Sequence, residues 1–317
     1  MAHSVDPVAL ARELALALRE RVLPELGSHA GREHTGAGAG GDVTFAIDEI
    51  AESFLEEHLA ANAPGVAFYS EDRGLVVPAG DPAWVLIVDP IDGTRPAMAG
   101  LESACVSVAA ARLDGEPTMG DVEVGCVVEI KSGALFLASR DGHLEPEPRL
   151  SRNTDLSRMF WTYGLRGRPI RPVAEVIGDI IDVSSVGGGT FDLGSATFDI
   201  TRVVTGQMDA YIEPGPRMVA DVPGMRELFE RLGGGTVLNN SPYDLAAAKL
   251  ICERAGAVIT DAYGRPLDDR PLLGSGVDFQ MSCVAVANPE LHAAVIREID
   301  AGIERLARAV ERGDYAA

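Results

Sequence analysis

The run Trp84-Val-Leu-Ile-Val88 constrains this chain more than any other segment. A continuous apolar stretch of that length reads as a strand buried on both faces. It leads directly into Asp89-Pro-Ile-Asp92-Gly-Thr94. The strand therefore delivers two carboxylates to its C-terminal end, the place where α/β proteins seat ligands. Converging carboxylates repel each other and are relieved by a divalent cation. Oxygen donors without His or Cys favour Mg²⁺ over zinc. If a helix starts at the Gly-Thr pair, the backbone N–H groups of Gly93 and Thr94 face a phosphate. Taken alone, Asp-Pro-x-Asp-Gly is also ordinary turn chemistry.

Other acids fall in suggestive places. Tyr69-Ser-Glu71-Asp72 puts a second carboxylate pair at a strand end, and Pro242-Tyr-Asp244 opens an apolar helix. Asp42-Val-Thr44 and Asp48 follow a glycine-rich stretch, Gly31 to Gly41. Singly, Asp244 reads as a helix cap and Asp48 as a solvated helix residue. Residues 31–41 read either as a linker or as a flexible flap beside a site.

The rest of the chain bounds the setting. Val8, Ala11, Ala15, Leu18 and Val22 recur at helical spacing, which predicts a helix near 6–26 and not a signal peptide. A second helix is predicted over 46–60, with strands near 66–69, 104–111, 122–130 and 134–139. After residue 150, strands near 158–163, 184–186, 210–212, 257–260 and 282–287 alternate with helices near 172–182, 195–206, 245–255 and 290–311. That order suggests an antiparallel-leaning sheet first and an α/β layer second. No apolar run reaches the ~18 residues of a membrane span. Cys105, Cys126, Cys252 and Cys283 show no CxxC spacing and read as buried thiols, so a cytoplasmic protein is expected. Lys and Arg number 27 against 48 Asp and Glu, a formal charge of −21. That excess argues against nucleic acid and against an electrostatic membrane anchor.

Taken together, the acidic motifs resemble the inositol monophosphatase superfamily, the Mg²⁺-dependent, lithium-sensitive phosphatases. Its pattern runs Asp-x-Val-Thr…Asp, Glu-Glu, Asp-Pro-Ile/Leu-Asp-Gly-Thr, Trp-Asp-x-Ala-Ala. The chain has Asp42-Val-Thr44 with Asp48, Glu71-Asp72, Asp89 to Thr94, and Tyr243-Asp244-Leu-Ala-Ala. Gly194-Ser-Ala-Thr-Phe-Asp, Gly206-Gln-Met-Asp-Ala-Tyr-Ile-Glu213 and Glu253-Arg-Ala-Gly-Ala-Val-Ile-Thr-Asp261 match further stretches.

The resemblance implies an α+β or α/β fold, an αβαβα layered sandwich. Residues 1–150 would form an N-terminal subdomain with most metal ligands, and 151–317 a C-terminal α/β subdomain, in one continuous unit. It implies a phosphomonoesterase acting on a small polyol or sugar phosphate by metal-activated water attack. Alternatives are a specialised phosphatase of the same family (fructose 1,6-bisphosphate, histidinol phosphate, a 3′-phosphonucleotide or a biosynthetic intermediate) and, less favoured, a non-catalytic regulator. Glu71, Asp89, Asp92, Asp244 and the Ile91 carbonyl would hold two or three Mg²⁺ ions, with Mn²⁺ a substitute and Li⁺ inhibitory. Asp48, Thr94 and Glu71 would be catalytic, Gly93 and Thr94 would bind phosphate, and Ser195, Ala196 and Glu213 would read the alcohol portion. A homodimer is expected.

The departures from the family pattern bear on substrate. Arg95-Pro96 replaces the usual Asn-Phe, so Arg95 either clamps a second anionic group or pairs locally. The usual flap Lys is absent, and Phe191 stands where the family has Arg. An insertion, residues 214–242, separates Glu213 from Asp244. It reads as a specificity lid or as a surface or dimer elaboration, with a short helix near 222–232.

Overall fold

The computed structural model describes residues 5–37 and 43–315; Asp42 and the glycine-rich residues 38–41 lie outside them. The first half contains α1 (Pro7–Val22), β1 (His34–Ala37), β2 (Val43–Phe45), α2 (Ala46–Asn62), β3 (Ala67–Ser70) and β4 (Gly74–Val76). It continues with β5 (Trp84–Asp92), α3 (Thr94–Ala99), β6 (Cys105–Arg112), β7 (Val122–Glu129), β8 (Leu135–Ser139) and β9 (Leu144–Glu145). The second half contains β10 (Phe160–Tyr163), α4 (Ile170–Ser184), β11 (Gly189–Phe191), α5 (Ala196–Thr205), β12 (Ala210–Glu213), α6 (Gly215–Asp221) and α7 (Met225–Leu232). It closes with α8 (Pro242–Arg254), β13 (Val258–Thr260), β14 (Cys283–Val286) and α9 (Pro289–Glu311).

Seven strands form one sheet, in the order β4-β3-β5-β6-β7-β8-β9, and five form another, β11-β10-β12-β14-β13. In the first sheet only β3 and β5 pair in parallel. In the second, β11, β10 and β12 are parallel, while β14 runs against β12 and β13. A separate two-stranded ribbon, β1-β2, leads into α2.

Burial explains the layering. Along β5, Val85 and Ile87 enter a core shared with α5 and α8, while Trp84, Leu86 and Val88 enter one shared with α1 and α2. The apolar run is thus a strand covered on both faces, as its lack of alternation demands. A third core joins the far face of the second sheet to α4 and α9. The layers are α1/α2, first sheet, α5/α8, second sheet, α4/α9: the expected αβαβα sandwich.

One close approach positions the site. Gly125 on β7 lies under α8, where an added Cβ would come within 2.5 Å of the Ala247 carbonyl oxygen. The Ala246-Ala-Ala248 run and Gly125 let α8, which carries Asp244, settle onto the sheet that carries Asp89.

Two expectations are corrected. The strand expected at 184–186 is instead the end of α4 and the turn after it; the strand is Gly189–Phe191. The α4 stripe continues to Ser184, whose hydroxyl accepts from Trp161 Nε1 at 3.0 Å and donates to the Ile180 carbonyl. Gly188 then passes Met159 so closely that an added Cβ would meet its carbonyl at 2.2 Å. The insertion 214–242 forms two helices, and Met218, Val222, Met225 and Phe229 bury them in the third core. They do not overhang the cleft as a lid; only the returning segment, residues 237–241, lines it.

Candidate functional site

The end of β5 and the start of α8 meet in one cleft. Carboxylate oxygens of Asp89, Asp92 and Asp244 lie within 4.8 Å of one another. Each acid has one oxygen fixed by the fold. Asp89 Oδ1 accepts from the Ile91 backbone N–H at 2.9 Å. Asp92 Oδ2 accepts from Ser195 Oγ at 2.8 Å and from the Thr197 N–H at 2.6 Å. Asp244 Oδ2 accepts from the Ser241 N–H at 2.6 Å, completing a capping box at the start of α8. The cap reading of Asp244 and its place in an acidic cluster are therefore both true, on different oxygens. Thr197 Oγ1 also donates to the Asp244 backbone carbonyl at 2.9 Å, tying α5 to α8.

This arrangement is costly when every acid is charged. Burial, then Asp92, Glu71 and Asp244, pushes the Asp89 carboxyl well above its usual range. Burial raises Asp92 despite the hydrogen bonds from Thr197 and Ser195 that oppose it. Burial and the Asp92 charge push Asp244 up to about 7. A group of buried oxygen donors that resists ionisation in isolation is relieved by a hard divalent cation. The donor set fits Mg²⁺. Glu71 and Ile91 line the same cleft. Glu71 is half-exposed, and its charge acts on Asp89.

Beside this cluster, Gly93 (φ +91°) turns the chain from β5 into α3. An added Cβ there would fall 2.6 Å from the Ser103 carbonyl oxygen, so both the turn and the space require glycine. Thr94 follows, buried, with Oγ1 3.0 Å from Asp48 Oδ1 and 3.2 Å from the Ile91 carbonyl oxygen. Asp48 Oδ2 accepts from the Phe45 N–H at 3.0 Å, which anchors it at the first turn of α2.

Ser195 and Ala196 line the cleft. Glu213 does not. It is fully buried behind the cleft, ion-paired to Arg168 and accepting from the Gly215 N–H. Arg95 is exposed, its guanidinium 5.4 Å from the centre of the Phe45 ring, and is not among the residues lining the cleft. The arginines that do line it are Arg166 and Arg168, on the loop after β10. The Arg166 charge opposes the upward shifts of Asp92 and Asp244.

Sequence reasoning missed Arg166 and Arg168, although their position just past a strand end was a usable cue. It also missed Asp192 and Asp199, which line the cleft; burial pushes Asp199 well above the usual carboxyl range. Glu52 was missed as well. Its carboxylate accepts from Ser70 Oγ at 2.7 Å and from the Asp72 N–H at 3.2 Å, and Asp72 Oδ1 accepts from Thr44 Oγ1 at 2.8 Å. This chain of bonds braces the turn that carries Glu71.

Comparison with known proteins agrees with the geometry. The profile of the inositol monophosphatase family matches residues 4–304. A fructose-1,6-bisphosphatase/inositol-1-monophosphatase of Methanothermobacter thermautotrophicus is 28% identical over 303 residues, covering 92% of this chain and 95% of that protein. Among solved structures, the extragenic suppressor protein SuhB of Bartonella henselae superposes with a TM-score of 0.68 at 19% identity, covering 93% of this chain and 98% of the other. An inositol monophosphatase of Thermotoga maritima does so at 0.66 and 18% identity, covering 95% and 100%. With Glu71, Asp89, Asp92 and Asp244 gathered in one cleft and the match running nearly end to end, the chain belongs to the inositol monophosphatase family, a family of metal-dependent phosphatases.

Proposed function

We propose that the protein hydrolyses the phosphomonoester of a small polyol or sugar phosphate, with Mg²⁺ held by Asp89, Asp92, Asp244, Glu71 and the Ile91 carbonyl. The observation that carries this reading is the convergence of three carboxylates within 4.8 Å, Asp89 and Asp92 buried and Asp244 half-buried, next to the Thr94–Asp48 pair. Two or three Mg²⁺ ions, when bound, supply the Lewis-acid charge that makes water a nucleophile and offsets charge on the phosphoryl oxygens. Thr94 orients the attacking water through Oγ1, and Asp48 takes up a proton passed through that hydroxyl. The Gly93 and Thr94 amides hold phosphate oxygens. Little covalent participation is required, because phosphoryl transfer rests on positioning and charge stabilisation. Mn²⁺ substitutes for Mg²⁺ in this account, and Li⁺ inhibits. A phosphomonoester panel assayed with Mg²⁺ tests it; no release from any member at saturating metal would sink it.

Arg166 and Arg168 favour a second reading of substrate, in which the alcohol portion carries another anionic group. Arginine forks suit carboxylate or phosphate oxygens. One relative bears the name fructose-1,6-bisphosphatase/inositol-1-monophosphatase, which is consistent with such a substrate. Glu213, withdrawn behind Arg168, holds that arginine in place instead of reading hydroxyl groups.

A homodimer is supported by the open edge of β11, where Phe160, Val186 and Phe191 are exposed. The four cysteines, all free and buried, are consistent with a cytoplasmic setting. Among the described residues no helix is long and apolar enough to cross a membrane.

A further inference from the structure

The insertion between β12 and α8 helps to build a second cavity, of about 370 Å³, between α6, the turn at 261–265 and the segment 267–282. Arg217, Arg226, Arg265 and Arg270 line it, against the two acids Asp261 and Asp278. That is an inverted charge balance in a chain of formal charge −21. Arg217 is held by Asp221 at 3.2 Å and Asp300 at 2.6 Å. Among the described residues, Arg226, Arg265 and Arg270 form no ion pair with a carboxylate. The Arg270 Nε is buried without a hydrogen-bond partner. The Tyr263 ring is already covered by the Arg217 and Arg265 guanidiniums, each 4.4 Å from its centre. What the cavity offers a ligand is therefore charge recognition by arginine forks, not aromatic stacking.

The cavity backs onto the active-site cleft. Asn239 and Gln280 line both. Asn239 Nδ2 donates to Gln280 Oε1 at 3.3 Å, and Gln280 Nε2 donates to the Val237 carbonyl at 2.6 Å. Arg270 grips the same wall from the cavity side, donating to the backbone carbonyls of Asp278 at 3.3 Å and Gln280 at 3.1 Å. An anion that draws on Arg270 competes with those carbonyls and so acts on the segment that presents Gln280 to the cleft.

We propose that this cavity is a second ligand site, for a compact polyanion of the phosphate-ester or polycarboxylate type, coupled to the active-site cleft through Arg270 and the Asn239–Gln280 wall.

Isothermal titration of the Mg²⁺-loaded protein with phosphonoacetate and, separately, tricarballylate tests the site. Apart from uptake in the cleft, the wild type should take up one probe molecule whose binding survives Asp92→Asn. The double variant Arg226→Gln/Arg265→Gln, altered at two exposed positions, should weaken that binding roughly 10- to 100-fold. Uptake of phosphonoacetate alone identifies a phosphate-ester site, and uptake of tricarballylate alone a polycarboxylate site. Equal affinity in the double variant, loss of all binding in Asp92→Asn, or no binding of either probe overturns the proposal. For the coupling, a saturating probe should change the KM for glycerol 2-phosphate more in the wild type than in the double variant, where only competition in the cleft is left; an equal change in both overturns it. This last arm rests on the phosphatase reading, whereas the titrations do not, so the two failures are distinguishable.

Discussion

Thr94 Oγ1 lies 3.0 Å from Asp48 Oδ1, and the other Asp48 oxygen is fixed by the Phe45 N–H at 3.0 Å. The pair joins the end of β5 to the first turn of α2. Its carboxylate is therefore held in place by the helix it caps, with one oxygen directed to the hydroxyl that faces the acidic cluster.

Thr94→Ala removes the hydroxyl and leaves every carboxylate of the cluster in place. Turnover should fall by about 100-fold or more, the usual weight of a positioned proton-transfer group. Mg²⁺ affinity, measured by calorimetry, should stay within a few-fold of wild type. A matching loss of both would assign Thr94 to metal binding.

Asp244→Asn should do the opposite. An Asn oxygen still accepts from the Ser241 N–H, so the start of α8 is preserved. The Asp244 carboxyl, raised to about 7 by burial and by Asp92, loses its charge penalty. The metal-free variant should therefore melt higher than the wild type above pH 7. Its Mg²⁺ affinity should drop by at least about tenfold, the loss of one charged ligand. Unchanged affinity would place the ion elsewhere.

Glu52 gives a pH test behind the turn that carries Glu71. Burial raises its carboxyl from 4.5 to about 7, against opposing hydrogen bonds from Ser70 and Asp72. The folded state thus holds the proton more tightly than the unfolded chain. That contribution to stability is full below pH 4.5 and is lost as pH rises through about 7. Glu52→Gln should flatten the stability profile of the metal-free protein between those limits, read by chemical denaturation. A profile unchanged from wild type would contradict the account.

Arg166→Gln tests the second-anion reading of the substrate. Fructose 1,6-bisphosphate and glycerol 2-phosphate should be affected differently. KM for the first should rise about tenfold, the loss of one charge-assisted contact. Values for the second should hold. An equal effect on both would reduce Arg166 to a general electrostatic role.

The sequence made the layers and the acidic cluster legible because both are written locally. Val85 and Ile87 on one face, with Trp84, Leu86 and Val88 on the other, leave a two-sided strand as the natural reading. Asp89, Asp92 and Asp244 stand at strand and helix ends, where side chains converge. What stayed hidden depends on contacts distant in sequence. Glu213 was expected in the cleft, but Arg168, on a loop 45 residues earlier, pairs with it and takes its place. Gly188 admits the edge strand past Met159, a close approach that nothing local in the sequence announces. Arg95 carried the right idea at the wrong position: it lies over Phe45, while Arg166 and Arg168 line the cleft. The insertion offered a short helix near 222–232, but neither the preceding helix α6 nor the core in which both are buried.

The most direct test strips the protein with a chelator, then titrates Mg²⁺ back while phosphate release from inositol 1-phosphate and the wider phosphomonoester panel is followed. The account predicts no release without metal, restoration by Mg²⁺, and no restoration in Asp92→Asn at the same concentrations. Release that persists in the stripped protein, or full restoration in Asp92→Asn, would contradict it.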